Sequence, residues 1–363
     1  MTQLIIGTNN FSDDNPTQTL YTLTFSPSPT PSLSPPVPHN FPSFQGPGWI
    51  TAHEDHLYIA DEATHGHIHV LSSALDLLSS TPCPANACHL AISGDSVSGN
   101  TITTANYHGD IHSFKLTTPS ALTQTSQISQ AELYKSTSPP PRRDREESSH
   151  PHCTQILFNK WLLVTDLGTS TLTSYPFPVP APNAPPTSTL HLPGSGCRSF
   201  LALGNAIYVV NELHCTLAHC SLDQNTGTLT LNAQIPLLSA GEAPSRDHHR
   251  GAGGICEREG YLYVTTRQST PGIVVVVDVA KFEVRNRVDC GGDIPRHLAV
   301  VGDRFLAVAC QGTKTVVLME IEGDGLTIMA VCEVMEQPPV FVGELSSTNT
   351  AAHTVWRSLD SQI

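Results

Sequence analysis

Gly196-Cys197-Arg198-Ser199-Phe200, the turn Gly204-Asn205, the strand Ile207-Tyr208-Val209-Val210-Asn211-Glu212 and the turn Asn225-Thr226-Gly227 make up one unit of a repeating sheet. Arg198 starts the first strand and a carboxylate, Glu212, closes the second. The second strand recurs with the same apolar start and polar finish. Its copies are Leu57-Tyr58-Ile59-Ala60-Asp61-Glu62, Ile102 to Tyr107, Leu162 to Leu167, Leu262 to Arg267 and Leu306 to Gln311. From Glu62 to Gln311 the five intervals average roughly 50 residues, a period typical of propeller blades.

Each copy has a short strand before it and another after it. His152-Cys153-Thr154-Gln155-Ile156-Leu157 and Thr171-Leu172-Thr173-Ser174-Tyr175 flank the third, and Arg296 to Val300 and Thr315 to Met319 flank the last. Short antiparallel strands divided by turns predict four-stranded blades, six of them in sequence. The ends predict a seventh. Leu4 to Asn9 and Gln18 to Phe25 read as second and third strands whose missing first strand is Pro339 to Glu344, so that the termini close the ring. The expectation is an all-β, seven-bladed propeller over residues 1–345 with a polar tail at 346–363. Proline-rich segments at Ser26–Pro42, Ser138–Pro141 and Pro176–Pro186 read as surface loops, because proline cannot donate to a ladder. The mixed-sign run Arg142-Arg143-Asp144-Arg145-Glu146-Glu147 reads as a solvated loop tip.

Composition narrows the function. With 18 Lys+Arg against 32 Asp+Glu the net charge is −14, which argues against nucleic-acid or membrane partners. An anionic ligand would need a few local arginines. The start of the chain lacks a basic, apolar leader and no apolar run is long enough to span a bilayer, so a cytoplasmic location is expected. The ten cysteines have irregular spacing, and free thiols are expected. The 18 histidines raise a metal reading at His65-Gly66-His67-Ile68-His69 and Asp247-His248-His249-Arg250. Alternation puts His67 and His69 on one strand face, yet no third ligand follows at a recognisable spacing. No metal or other cofactor is expected.

In a propeller, equivalent positions of successive blades converge on one axis. The start of the first strand carries His152, Arg198 and Arg296, and the end of the second carries Glu62, Tyr107, Glu212, Arg267 and Gln311. Any one of these alone reads as a solvent-exposed or paired strand end. Together, at two offsets around one channel, they read as a site.

At this point the chain resembles a known family, the seven-bladed propeller lactonases, which include bacterial 6-phosphogluconolactonase and the fungal carboxy-cis,cis-muconate cyclase. The resemblance covers nearly the whole chain. It is carried by Ser149-His150-Pro151-His152, Val164-Thr165-Asp166-Leu167-Gly168, Gly196-Cys197-Arg198, Tyr208-Val209-Val210-Asn211-Glu212, Thr266-Arg267, Ile294-Pro295-Arg296 and Ala105-Asn106-Tyr107. It implies a catalytic His, two Arg and a Glu, which fall on His152, Arg198, Glu212 and Arg267. Glu62, Asn106, Tyr107, His150, Arg296 and Gln311 are then expected to bind substrate. The family's common Pro-Asp-Gly turns are replaced here by Phe158-Asn159-Lys160 and Leu203-Gly204-Asn205, and the proline-rich insertions are longer. The expected activity is hydrolysis of a small anionic lactone, phosphorylated or carboxylated. A lactone-forming cycloisomerase acting on a muconate-like carboxylate, another pathway-specific cyclase and a non-catalytic binding propeller are the alternatives.

Overall fold

The computed structural model of the chain describes residues 1–9, 19–28, 30–84, 86–93, 100–130, 134, 145–245, 250–333 and 336–345. The Asp247-His248-His249 reading, Arg142 to Asp144, the prolines at 138–141 and the tail at 346–363 lie outside the described residues. The strands form seven antiparallel sheets, six of four strands and one of five. The innermost strands are Pro47–His53, Ala87–Ser93, Pro151–Leu157, Cys197–Leu203, Ala252–Arg258, Pro295–Val301 and Pro339–Leu345, in blades one to seven. Each touches the next, and the last touches the first. The structure is therefore a closed seven-bladed propeller.

The termini close it as the sequence predicts. Thr2–Thr8 pairs with Pro339–Leu345 through Gln3↔Leu345, Ile5↔Gly343 and Gly7↔Phe341, and on its other side with Thr19–Ser26. One expectation fails here. The Ser26–Pro42 segment is not simply a surface loop, since Ser32–Leu33 and Val37–Asn40 both pair with Thr19–Ser26 and form the outer edge of blade seven. An outermost strand needs donors on one side only, which is why prolines are tolerated there.

The cores lie between blades. Seven apolar clusters each join two neighbouring blades. Strand Ile273–Asp278 shows why the run Ile273 to Val277 is continuously β-branched where a half-buried strand alternates. Val274 and Val276 pack with Leu298, Leu306 and Val308 of blade six, while Val275 and Val277 pack with Tyr208, Val210 and Leu217 of blade four. Both faces are covered, so both parities must be apolar. The outer strand Glu283–Asp289, with charges at alternate positions, faces solvent on one side. Leu306 is fully buried in the five–six cluster, so Leu306→Ala should cost about 2–5 kcal/mol of unfolding free energy in a denaturant titration.

Among the described residues no helix is long and apolar enough to cross a membrane. All ten cysteines are free, and nine of them are buried.

Candidate active site

Every innermost strand is irregular at its start. Pairing skips Gly48 between Pro47↔Asp61 and Trp49↔Ala60, and skips Cys88, His152, Arg198, Arg296 and Val340 at the corresponding places in blades two, three, four, six and seven. In blade five the irregularity spans Gly253 and Gly254. A bulge re-aims the extra residue. Gly48, Cys88, His152, Arg198, Gly253, Arg296 and Val340 all line one central cavity of about 520 Å³. Three of the seven bulge positions carry ionisable side chains, and the other four are small or apolar, which leaves the channel open.

A second ring lies at the ends of the second strands. Each residue there donates its backbone N–H to a carbonyl just before the blade's inner strand: Glu62 to Gly46 at 2.6 Å, Tyr107 to Asn86 at 2.8 Å, Glu212 to Gly196 at 2.8 Å, Arg267 to Gly251 at 2.8 Å and Gln311 to Ile294 at 2.9 Å. The seven-fold repeat thus fixes these backbones before any side chain acts. Glycine makes room for two of the carboxylates. A Cβ on Gly251 would lie 2.6 Å from Glu212 Cγ, and one on Gly48 would lie 2.9 Å from Glu62 Oε2.

Glu212 is the centre of the charge cluster. Its side chain is 0% exposed and meets Arg198 Nη1 at 2.5 Å through Oε2 and Arg267 Nη2 at 2.8 Å through Oε1. Oε1 also takes Nη1 of Arg145. Burial alone would raise the Glu212 carboxyl, but Arg145, Arg267 and Arg198 together hold it well below the usual carboxylate range. Arg267 also donates to the carbonyls of Gly251 at 3.4 Å and Ala252 at 3.2 Å, and it faces Glu212 and not the cavity. Burial and the neighbouring arginines outweigh Glu212 and bring Arg267 down to about 10.

Beside this cluster, Arg296 Nη2 lies 3.6 Å from Glu62 Oε2, and both line the cavity. Burial raises the Glu62 carboxyl against the pull of Arg296, Arg198 and Arg145. Burial, then Arg198, lowers Arg296 to about 10. His152 is buried, and burial followed by the charge of Arg198 pushes its imidazole well below its ordinary value. Both effects favour the neutral imidazole. His89 and His297 line the same channel around Trp49, with ring centroids 4.0 and 5.1 Å from it, and burial takes both to about 3.

The expected residues divide by where their side chains go. His152, Arg198, Glu62 and Arg296 line the cavity, and Glu212 and Arg267 stand in its wall behind Arg198. Tyr107 reaches the cluster through its hydroxyl, which accepts from Arg145 Nε at 3.0 Å. His150 stacks on Tyr107 at 4.2 Å, with Nδ1 2.7 Å from the Tyr107 carbonyl, and so buttresses the tyrosine. Asn106 turns away: its amide donates to the Pro84 carbonyl at 3.0 Å. Gln311 is half-buried and does not line the cavity.

Arg145 is the residue that the sequence reading missed. Expected at a solvated loop tip, it is instead held by Glu212 and Tyr107, with its guanidinium 5.8 Å from the Tyr107 ring and its side chain 19% exposed. Burial would lower its pKa, but Glu212 and Tyr107 raise it above its ordinary value. A loop offers no period, so repeat offsets could not find it. The only signal was its place just before Ser149-His150-Pro151-His152.

A closed propeller whose axial cavity gathers arginines, a buried carboxylate and a histidine defines a class by its architecture: repeating blades that bring ionisable groups together at the axis. The sequence matches the family described as "Lactonase, 7-bladed beta-propeller" over residues 3–342, and the chain belongs to that family of enzymes acting on lactones. No curated protein matches it. Among solved structures, a Lactobacillus plantarum protein is similar with a TM-score of 0.77 and 21% identity, over 95% of this chain and 99% of the other. A periplasmic gluconolactonase of Pseudomonas aeruginosa gives 0.76 and 20%, over 95% and 99%. A candidate 6-phosphogluconolactonase of Bacteroides fragilis gives 0.73 and 20%, over 94% and 97%. At these identities the likeness is one of fold.

Proposed function

We propose that the chain hydrolyses a lactone bearing a carboxylate or phosphate, bound at the arginine-lined mouth of the channel. One observation carries this reading. In a protein of net charge −14, four arginines (Arg145, Arg198, Arg267 and Arg296) converge with two carboxylates (Glu62 and Glu212), a local surplus of positive charge. The opposite end of the same cavity is lined by Glu257, Glu259, Asp303 and Glu344 with Arg258, so an anion is favoured at one end only.

Arg198 and Arg296, on bulges facing the cavity, grip the anionic group or the acyl oxygen by charge-assisted bonds. They also stabilise the negative charge that grows as water adds to the acyl carbon. His152 takes the proton from that water. The ring C–O bond then breaks, and the proton returns to the leaving oxygen to give the hydroxy acid. Glu212, held ionised by three arginines, is a poor proton carrier, and its part is to fix those arginines. The name of the similar candidate 6-phosphogluconolactonase of Bacteroides fragilis is that of an enzyme for a phosphorylated sugar lactone, which supports an anionic lactone as the substrate class, while the Pseudomonas aeruginosa gluconolactonase supports a sugar lactone without the charge.

A ring-forming reaction is the second reading, and Glu62 favours it. A carboxyl raised by burial at the cavity wall is suited to giving a proton to carbon. Loss of the ultraviolet absorbance of a dienoate substrate tests that direction.

Acid release from anionic δ-lactones, followed with a pH indicator, tests hydrolysis. Release that Arg198→Ala abolishes is the expected result; no release from any such lactone would overturn it. Arg296→Ala, which removes a guanidinium that lines the cavity, should raise KM for an anionic lactone about 10- to 100-fold, the range for losing one hydrogen bond to a charged group.

A further inference from the structure

Blade one holds a group of ligand-type side chains that the channel chemistry does not use. His67 and His69 stand two residues apart on strand His67–Ser72, so their rings share a face, 5.5 Å between centroids and 18° between planes. Asp61 ends the adjoining strand His56–Asp61. One ligand atom from each of the three lies within 4.8 Å of the others. We propose that Asp61, His67 and His69 form a binding site for a borderline divalent cation of the Zn²⁺ class, with water completing its shell.

Four observations carry this. Two imidazoles and a carboxylate are a common donor set for zinc. His69 Nε2 and Asp61 Oδ2 are 3.4 Å apart, and two ligands held at about 2.0–2.1 Å in a tetrahedron stand about 3.3–3.4 Å from each other. Both are fixed from behind, as metal ligands are. His69 Nδ1 lies 2.8 Å from Ser80 Oγ, and the Asp61 carboxylate accepts from the Gly46 and Gln45 N–H groups, the latter at 3.1 Å. Asp61 and His69 are wholly buried, and Asp61 has no Lys or Arg ion-pair partner among the described residues. A buried carboxylate calls for a counter-charge.

A plain hydrogen-bond chain from Ser80 through His69 to Asp61 accounts for two members of the group and leaves His67 out. His67 has its Nδ1 buried with no hydrogen-bond partner among the described residues, although its side chain as a whole is only half-buried. That partial exposure gives a cation its way in. The site is structural in kind, tying the end of one strand to the start of the next. Asp61 directly precedes Glu62, so a bound cation would also stiffen the segment that presents Glu62 to the cavity.

The test uses the full chain, stripped with a chelator, dialysed, and titrated with Zn²⁺ by calorimetry and with Co²⁺ by visible absorption. One Zn²⁺ per chain, a tetrahedral Co²⁺ spectrum and a rise in melting temperature with Zn²⁺ are expected. His67→Ala, at a half-buried position, should weaken binding at least tenfold and abolish the thermal shift while leaving far-UV circular dichroism unchanged. His67→Gln, closer in shape, is read alongside in case the alanine variant does not fold. Ser80→Ala should weaken binding about 10- to 100-fold by freeing the His69 ring. No stoichiometric binding by the wild type, or binding that both His67 variants leave unchanged, would overturn the proposal.

Discussion

His152→Ala is expected to lower kcat for lactone hydrolysis by about 10² to 10⁴, the range over which a positioned acid or base contributes. The bulge in blade three aims this imidazole into the cavity, and burial with Arg198 alongside favours its unprotonated form. A base must be neutral to act. Because its folded pKa lies well below 6.5, kcat/KM of the wild type should hold as pH falls through the ordinary histidine range and decline only beneath it. A profile that breaks near 6.5, or unchanged turnover in the alanine variant, would remove His152 from the role of base.

Glu212→Gln should have the largest effect on stability. The carboxylate is fully buried and holds Arg198, Arg267 and Arg145, so an amide leaves three neighbouring guanidiniums with no anion between them. Removing one partner of a buried ion pair typically costs about 3–5 kcal/mol, more than the pair itself contributes. The pH dependence carries a sign. A carboxyl whose folded pKa is depressed adds stability that is fully present above its unfolded value of about 4.5 and is lost as pH falls through the folded value. The wild type should therefore lose stability on acidification below about 4.5, and the Gln variant, weaker at pH 7, should lose less over that interval. Parallel pH curves for the two proteins would show that Glu212 is not held ionised by the arginines.

The repeat, the closure by the termini and the two rings of ionisable residues were all legible in the sequence. Each follows from a period or an offset, and blades enforce both. What escaped has a physical reason in each case. Asn106 has the right chemistry one residue short of its ring, and alternation along a strand sends its side chain to Pro84. His150 precedes the bulge by two residues and serves Tyr107 instead of the channel. Arg145 lies on a connection between blades and at neither of the repeat's two offsets, so nothing in the pattern pointed to it. Asp61, the third member of the proposed cation site, stands on the strand before His67 and His69, so a search downstream of the two histidines does not reach it.

These misses share a form. Sequence offsets show which residues reach the axis by repetition, whereas bulges, loops and cross-strand neighbours decide where a side chain finally points. The bulge matters most in this molecule. It converts the ordinary start of an inner strand into a ring of inward positions, of which His152, Arg198 and Arg296 carry ionisable side chains into the cavity.

The most direct test compares kcat/KM for two lactones that differ only in a carboxylate or phosphate, at low and at high salt. A surplus of arginines at the mouth predicts a preference for the anionic lactone of at least tenfold, shrinking as salt rises and falling further in Arg296→Ala. Equal rates for the charged and uncharged lactones, with no response to salt, would contradict it.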